Sequence, residues 1–162
     1  MTNPKATFTA WRLSKAKYSE SALRGYGSML HSGRWHRKGI PVVYAADSPA
    51  LALLETMVHL EMTDLLSFAY VAVPIRFAPE CLAVLEANDL PEDWNAWPWP
   101  SSTQEVGTRW FEDQQSAMLR VPSAIVPHES NYLINPTHPD FARLDIGPAE
   151  PFPVDVRLSR LR

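Results

Sequence analysis

The chain has 162 residues and a formal net charge of −3, enough for one domain and thin for two. Its basic residues cluster only in short stretches (Arg34 to Lys38, Arg157 to Arg162), which excludes the broad positive footprint of a nucleic-acid binder and reads as solvated surface. The single cysteine, Cys81, excludes an internal disulfide, and no run approaches the roughly 18 apolar residues of a membrane span.

Residues 1–162 are read as one compact domain, large enough to bury roughly 70% of its unfolded surface. The N-terminal "MTNPKATFTAWRLSKAKY" lacks the apolar core of a secretory signal. With the lone thiol, this points to a cytoplasmic protein. Cys81, in "APECLAVLE", reads as a packed, inert thiol in a buried strand.

In chain order, "TFTAWRL" alternates and reads as a strand over 7–13. Residues 14–33 read as loop or a short helix, broken by Gly25, Gly27 and Gly33. "IPVVYAA" reads as a strand over 40–46. Asp47 and Ser48 are N-cap candidates, Pro49 suits a first helical turn, and a helix is expected to about Met62. Strands follow in "SFAYVAVPI" (67–75) and "CLAVLEA". "WNAWPWPSS" is a tryptophan–proline loop, expected to pack over the core, with a partner-binding surface as the rival reading. Ser102 and Glu105 match a capping box for a helix over 103–119. "VPSAIVP" and "SNYLINP" read as strands around a turn at His128–Glu129, and "VDVRL" as a last strand. Fifteen prolines punctuate short elements. Helices do not alternate strictly with strands, so the fold class is α+β, with mixed or antiparallel sheet and flanking helices.

One residue in this pattern asks for an explanation. In the helix after Pro49, Leu54, Val58 and Met62 lie within about 60° of Leu51, while Leu53, Met57 and Leu60 cover the opposite face. A helix apolar nearly all round is expected to be buried. Glu55, Thr56 and His59 form its one polar wedge. A buried carboxylate is costly unless paired, so Glu55 either makes a structural salt bridge, the arginines upstream being the obvious partners, or faces a cleft. Upstream, "SGRWHRKG" offers Arg34, Arg37 and Lys38 between Gly33 and Gly39. Guanidinium forks match phosphate, although the spacing of a P-loop is absent. Tyr44 offers an aromatic face or a core side chain. Arg, Tyr and Glu together suit a ligand with phosphates, an aromatic cation and a sugar, and NAD fits that description. Its nicotinamide leaves neutral, so a carboxylate near the ribosyl cation suffices without a general acid. His128, Glu129 and His138 could mimic metal ligands, but Pro136 and Pro139 break any helical presentation, so no metal site is expected.

The block "GSMLHSGRWHRKGIPVVYAADSPALALLE" resembles the signature of the RES domain family, whose Arg, Tyr and Glu stand here as Arg34, Tyr44 and Glu55. "GTRWFEDQQSAMLRVPSAIVPHESNYLINPTHPDF" resembles the second signature, with Ser123 and the Asn135-Pro136-x-His138 run, and "WRL" matches a family arginine at Arg12. The resemblance spans about residues 8 to 158. It implies a fold related to ADP-ribosyltransferase toxins and a bacterial type II toxin that degrades NAD by glycohydrolysis or phosphorolysis. Alternatives are a protein ADP-ribosyltransferase, or a degenerate, non-enzymatic member that only binds its partner. It further implies an Xre-type helix-turn-helix antitoxin, a homodimer, and DNA contact only through the antitoxin. NAD is then a substrate, not a cofactor. On this resemblance Glu55 stabilises the ribosyl cation, Arg34 and Arg12 hold phosphate or ribose, and Tyr44 stacks on a ring. Ser123 gives a pocket hydrogen bond, a sheet-edge hydroxyl being the alternative, and Trp35 contacts substrate. His36 departs from the more usual Asn and reads as surface.

Overall fold

A computed structural model describes residues 7–160. Its frame is one eight-stranded sheet: β1 Phe8–Lys15, β2 Val43–Ala46, β3 Tyr70–Phe77, β4 Leu82–Val84, β5 Met118–Pro122, β6 Ser130–Ile134, β7 Asp145–Ile146 and β8 Glu150–Phe152. The order is β4-β5-β6-β2-β1-β3-β7, with β8 also on β3. Among the described residues only β4–β5 is parallel. Four α-helices accompany it: α1 Tyr26–Leu30, α2 Pro49–Met57, α3 Met62–Leu66 and α4 Ser101–Glu112. The α+β reading holds. Among the described residues no helix is long and apolar enough to cross a membrane.

Period-two alternation sorts the side chains onto two faces. Val43 and Ala45 on β2, with Tyr132 and Ile134 on β6, face a cluster that includes Ala10, Ile75 and Met118. Cys81 is buried in that cluster, as a packing thiol should be. The other face carries Leu133, Leu119 and Val121 under Trp110 of α4. Tyr44 is paired with Leu133 and so lies on this face, as does Ala46, which packs under Leu51 and Ala52 of α2. Both longer helices therefore sit on one side of the sheet, with Tyr44 between them.

The seam between β1 and β2 is unusual. β1 pairs with β3 over eight residues, but with β2 only at Trp11↔Ala46. Beyond that pair the ladder is replaced by a side chain: Arg12 Nη1 donates to the Tyr44 carbonyl oxygen at 3.2 Å. The N-terminal half of the expected 40–46 strand stays off the sheet because the Val42 N–H is taken by Ser28 Oγ at 2.8 Å.

Several boundaries differ from the sequence reading for identifiable reasons. Ser48 caps α2 as expected, accepting from Leu51 N at 3.1 Å. The helix stops at Met57, not near Met62: Val58 N makes the last i−4 bond, to Leu54 O, and His59 and Leu60 close the end with short-range bonds to the Thr56 and Met57 carbonyls. Nor is α2 buried all round: Leu54 is 41% and Val58 55% exposed. The Ser102–Glu105 capping box does not form. Ser102 Oγ bonds Asp93 at 2.6 Å, and Glu105 pairs with Arg37 and Arg109. Gln114, at φ 50°, ends α4 and donates its side-chain amide to Phe111 O. "VPSAIVP" is not a strand past Pro122, because Ser123 Oγ accepts the N–H groups of Ile125 and Val126 and turns the chain. Arg157 N and its guanidinium bond Asp155, and Val156–Arg160 is a 3-10 turn, not a strand.

Helix α4 also grips the 33–37 loop. Gln104 Nε2 donates to Gly33 O at 3.1 Å, and Arg37 N donates to Thr108 Oγ1 at 3.0 Å. Between them Gly107 lies against the Trp35 carbonyl, and a Cβ there would sit 1.7 Å from that oxygen. Helix propensity alone would make Gly107→Ala stabilising by about 1 kcal/mol. Collision with backbone reverses the sign, and a loss of about 2–3 kcal/mol is expected from urea unfolding. An unchanged or raised midpoint would contradict this packing.

Candidate active site

A cleft of about 600 Å³ opens beside the β1–β2 seam, bounded by α2, the 31–36 loop, the tryptophan–proline loop and the turn after β5. Its volume is in the range of small-ligand sites.

Glu55 lies on its wall, half-buried. The expected alternative of a salt bridge is not what holds it. Among the described residues its Oε1 accepts from Ser123 Oγ at 2.8 Å and from Asn131 Nδ2 at 2.6 Å. Ser123 is fully buried, and its hydroxyl already accepts two backbone N–H groups. Its proton is thereby directed to Glu55. A carboxylate oxygen accepts only, so the Asn131 amide is oriented too, and its Oδ1 is a buried acceptor without a protein partner. Two charge-assisted bonds fix one oxygen and leave Oε2 without a hydrogen-bond partner among the described residues.

Two arginines face this carboxylate's cleft. Neither has a carboxylate within ion-pair distance among the described residues, whereas Arg37 and Arg109 on the neighbouring α4 side do. Burial holds the Arg12 guanidinium below its ordinary value, and its Nε is buried without a partner. Arg34 Nη1 donates to Trp94 O at 2.8 Å and Ala96 O at 2.9 Å. Burial lowers the Arg34 value too, opposed by the nearby Glu55 and Tyr44. Two such cations give the cleft a local positive field, which favours an anion over a cation there.

Tyr44 lines the cleft, and burial pushes its phenol well up, so it stays protonated. Its hydroxyl lies 2.7 Å from His36 Nδ1 and accepts from Trp35 N at 3.3 Å. One sequence reading needs correction here. His36 is not surface: it is 3% exposed and touches Tyr44. Trp35 contributes to the cleft lining, while its side chain is 2% exposed and packs among Trp110, Leu119 and Leu133. The tryptophan–proline loop divides: Trp94 packs against that core, while Trp97 and Trp99 line the cleft. Trp99 meets His59 edge-on at 5.9 Å, and Trp97 is 71% exposed. Asn131 was missed altogether. The available signal was a polar residue two positions from Leu133, on the face that alternation assigns to the core.

The RES domain profile matches residues 9–155. The chain belongs to the RES domain family. A Photorhabdus laumondii protein named Toxin Res is 46% identical over 162 residues, 94% of this chain and 97% of that protein. A Sphingobium protein named Prs ADP-ribosylating toxin is 38% identical over 159 residues, 95% and 98% of the two chains. A chain in the crystal structure of the M. tuberculosis MbcT–MbcA toxin–antitoxin complex shares the fold with a TM-score of 0.74 at 19% identity, over 97% of this chain and 89% of that one.

The clamp on Glu55 can be tested in the RES chain without any ligand. Asn131→Asp is isosteric but puts a second carboxylate at the 2.6 Å contact. The two groups then share a proton and their folded-state values rise. The folded protein binds more protons than the unfolded chain, so the penalty grows with pH. Denaturant unfolding should show a loss of about 2 kcal/mol or more at pH 7, shrinking toward pH 4. A pH-independent loss would contradict the contact.

Proposed function

We propose that this RES protein is a bacterial toxin that cleaves the nicotinamide–ribose bond of NAD, with water or phosphate as acceptor. One observation carries the reading. A carboxylate fixed by Ser123 and Asn131 shares a cleft with two arginines that lack ion-pair partners among the described residues. The names of two relatives, Toxin Res and Prs ADP-ribosylating toxin, support the toxin part of this reading.

Arg12 and Arg34 receive the pyrophosphate, and the Tyr44 ring and the cleft tryptophans receive the flat rings. The C1′–N bond breaks with both electrons leaving on nicotinamide, which departs neutral. Glu55 stabilises the ribosyl cation through its second oxygen. Water then adds and releases a proton, giving ADP-ribose, or phosphate adds, giving ADP-ribose-1″-phosphate. The second reading, transfer to a protein acceptor, shares every step up to the cation and is favoured by the Sphingobium relative's name. A degenerate, purely binding member would have no use for so constrained a carboxylate. The toxin is held by an Xre-type antitoxin in the cytoplasm, acts as a homodimer and reaches DNA only through that partner. Exposed Trp97, Leu54 and Val58 at and near the cleft mouth suit such a partner.

Glu55→Gln keeps shape and removes charge. Its kcat for NAD cleavage should fall about 10²–10³-fold, with NAD affinity nearly unchanged. Arg12→Ala should instead weaken NAD binding, by about tenfold or more, in calorimetry. Wild-type turnover in Glu55→Gln would remove Glu55 from the chemistry.

A further inference from the structure

We propose that His36 is a positioning residue: it holds the Tyr44 hydroxyl, and through it the turn that presents Arg34 to the anion. The inference deepens the reading of the cleft as an NAD site and rests on it.

The imidazole tautomer follows from its partners. Nε2 lies 2.8 Å from the His31 carbonyl oxygen, which can only accept, so Nε2 carries the proton. In the neutral ring Nδ1 is then a lone pair, and the Tyr44 hydroxyl donates to it at 2.7 Å. The same phenol oxygen accepts the Trp35 N–H at 3.3 Å. Gly33 N closes the turn onto His36 O at 3.1 Å. One hydroxyl therefore binds the two residues that follow Arg34. The fit has no slack, because a Cβ at Gly33 would lie 2.8 Å from His36 Cε1 and 2.9 Å from the Tyr44 oxygen. The Arg34 side chain is held at its tip by Trp94 O and Ala96 O, and α4 grips the same turn from its other side at Gly33 and Arg37.

A second proton on the ring would turn Nδ1 from acceptor to donor. The buried phenol would lose its acceptor, and the latch would open. Burial keeps His36 below its ordinary value, against the pull of the His31 and Ser28 backbone. The ionisable groups around it are Tyr44 from β2, Arg34 and His31 from its own loop, and Glu55 on α2, which acts on both Tyr44 and Arg34. From α4 come the neutral Gln104 and Thr108, with the Arg37–Glu105 ion pair on the exposed side. A folded-state value below the unfolded one means that the unfolded chain binds more protons, so stability falls as pH drops through about 6.5.

Three variants and two probes test this. His36→Phe should raise the KM for NAD about tenfold or more while changing kcat by less than about threefold, because Arg34 binds ground state and transition state alike. His36→Asn places an amide oxygen near Nδ1; it should restore KM to within about threefold and lose the acid rise in KM expected of the wild type once pH falls below the ordinary imidazole value to the lowered value of the folded ring. Gly33→Ala should reproduce the KM defect with His36 intact. Inorganic pyrophosphate is the second probe, and its affinity should follow the same order. It separates failure of this proposal from failure of the NAD reading: if NAD is not cleaved, pyrophosphate still reports the Arg34 turn. Nitrogen-15 spectra of the wild-type ring should show the Nε2–H tautomer. An Nδ1–H tautomer, or His36→Phe binding pyrophosphate like wild type, would overturn the role.

Discussion

The structure depends on the place where β2 leaves β1. An antiparallel pair that should be laddered along its length keeps a single pair of facing residues, Trp11 and Ala46. Backbone groups freed there still need partners. Arg12 supplies one by donating to the Tyr44 carbonyl, and this puts a guanidinium where a strand pair would have closed the sheet. The cleft and its positive charge follow from that substitution of side chain for ladder. β3 makes it affordable: eight paired residues on the other side of β1 hold the strand in place.

The site is then completed by elements that meet only in the folded chain. Glu55 comes from α2, Ser123 from the turn after β5 and Asn131 from β6. Arg34 rides on a loop held by α4 on one side and by Tyr44 on the other. Each charged group is fixed by neutral hydrogen-bonding partners and not by an opposite charge. That choice keeps Arg12 and Arg34 free of ion pairs among the described residues, and leaves Glu55 neutralised by no cation within ion-pair distance. Such an arrangement costs folding energy and is characteristic of sites whose charges are meant for a ligand.

The sequence made the outline legible because local patterns report local structure. The β-branched runs found most strands, Ser48-Pro49 found the start of α2, and the polar wedge at Glu55 found the cleft wall. What it hid was non-local. Ser123 looks like a strand residue until its hydroxyl is seen turning the chain, and Ser102–Glu105 looks like a cap until Asp93 and Arg37 claim both side chains. Trp35 sits beside Arg34 in sequence yet points into the core. His36 looks like surface because its neighbours Arg37 and Lys38 are exposed, and nothing local announces Tyr44 as its partner. A continuous helix to Met62 was the natural reading of an apolar stretch with no glycine or proline to stop it.

The central claim is that a clamped carboxylate and two arginines without ion pairs make an NAD-cleaving centre. The most direct measurement is proton NMR of NAD incubated with purified, partner-free protein, in buffer with and without phosphate. The account predicts free nicotinamide appearing in step with NAD loss, with ADP-ribose or its 1″-phosphate as co-product according to the buffer. Intact NAD after prolonged incubation with folded protein, both with and without added acceptor protein, would contradict it.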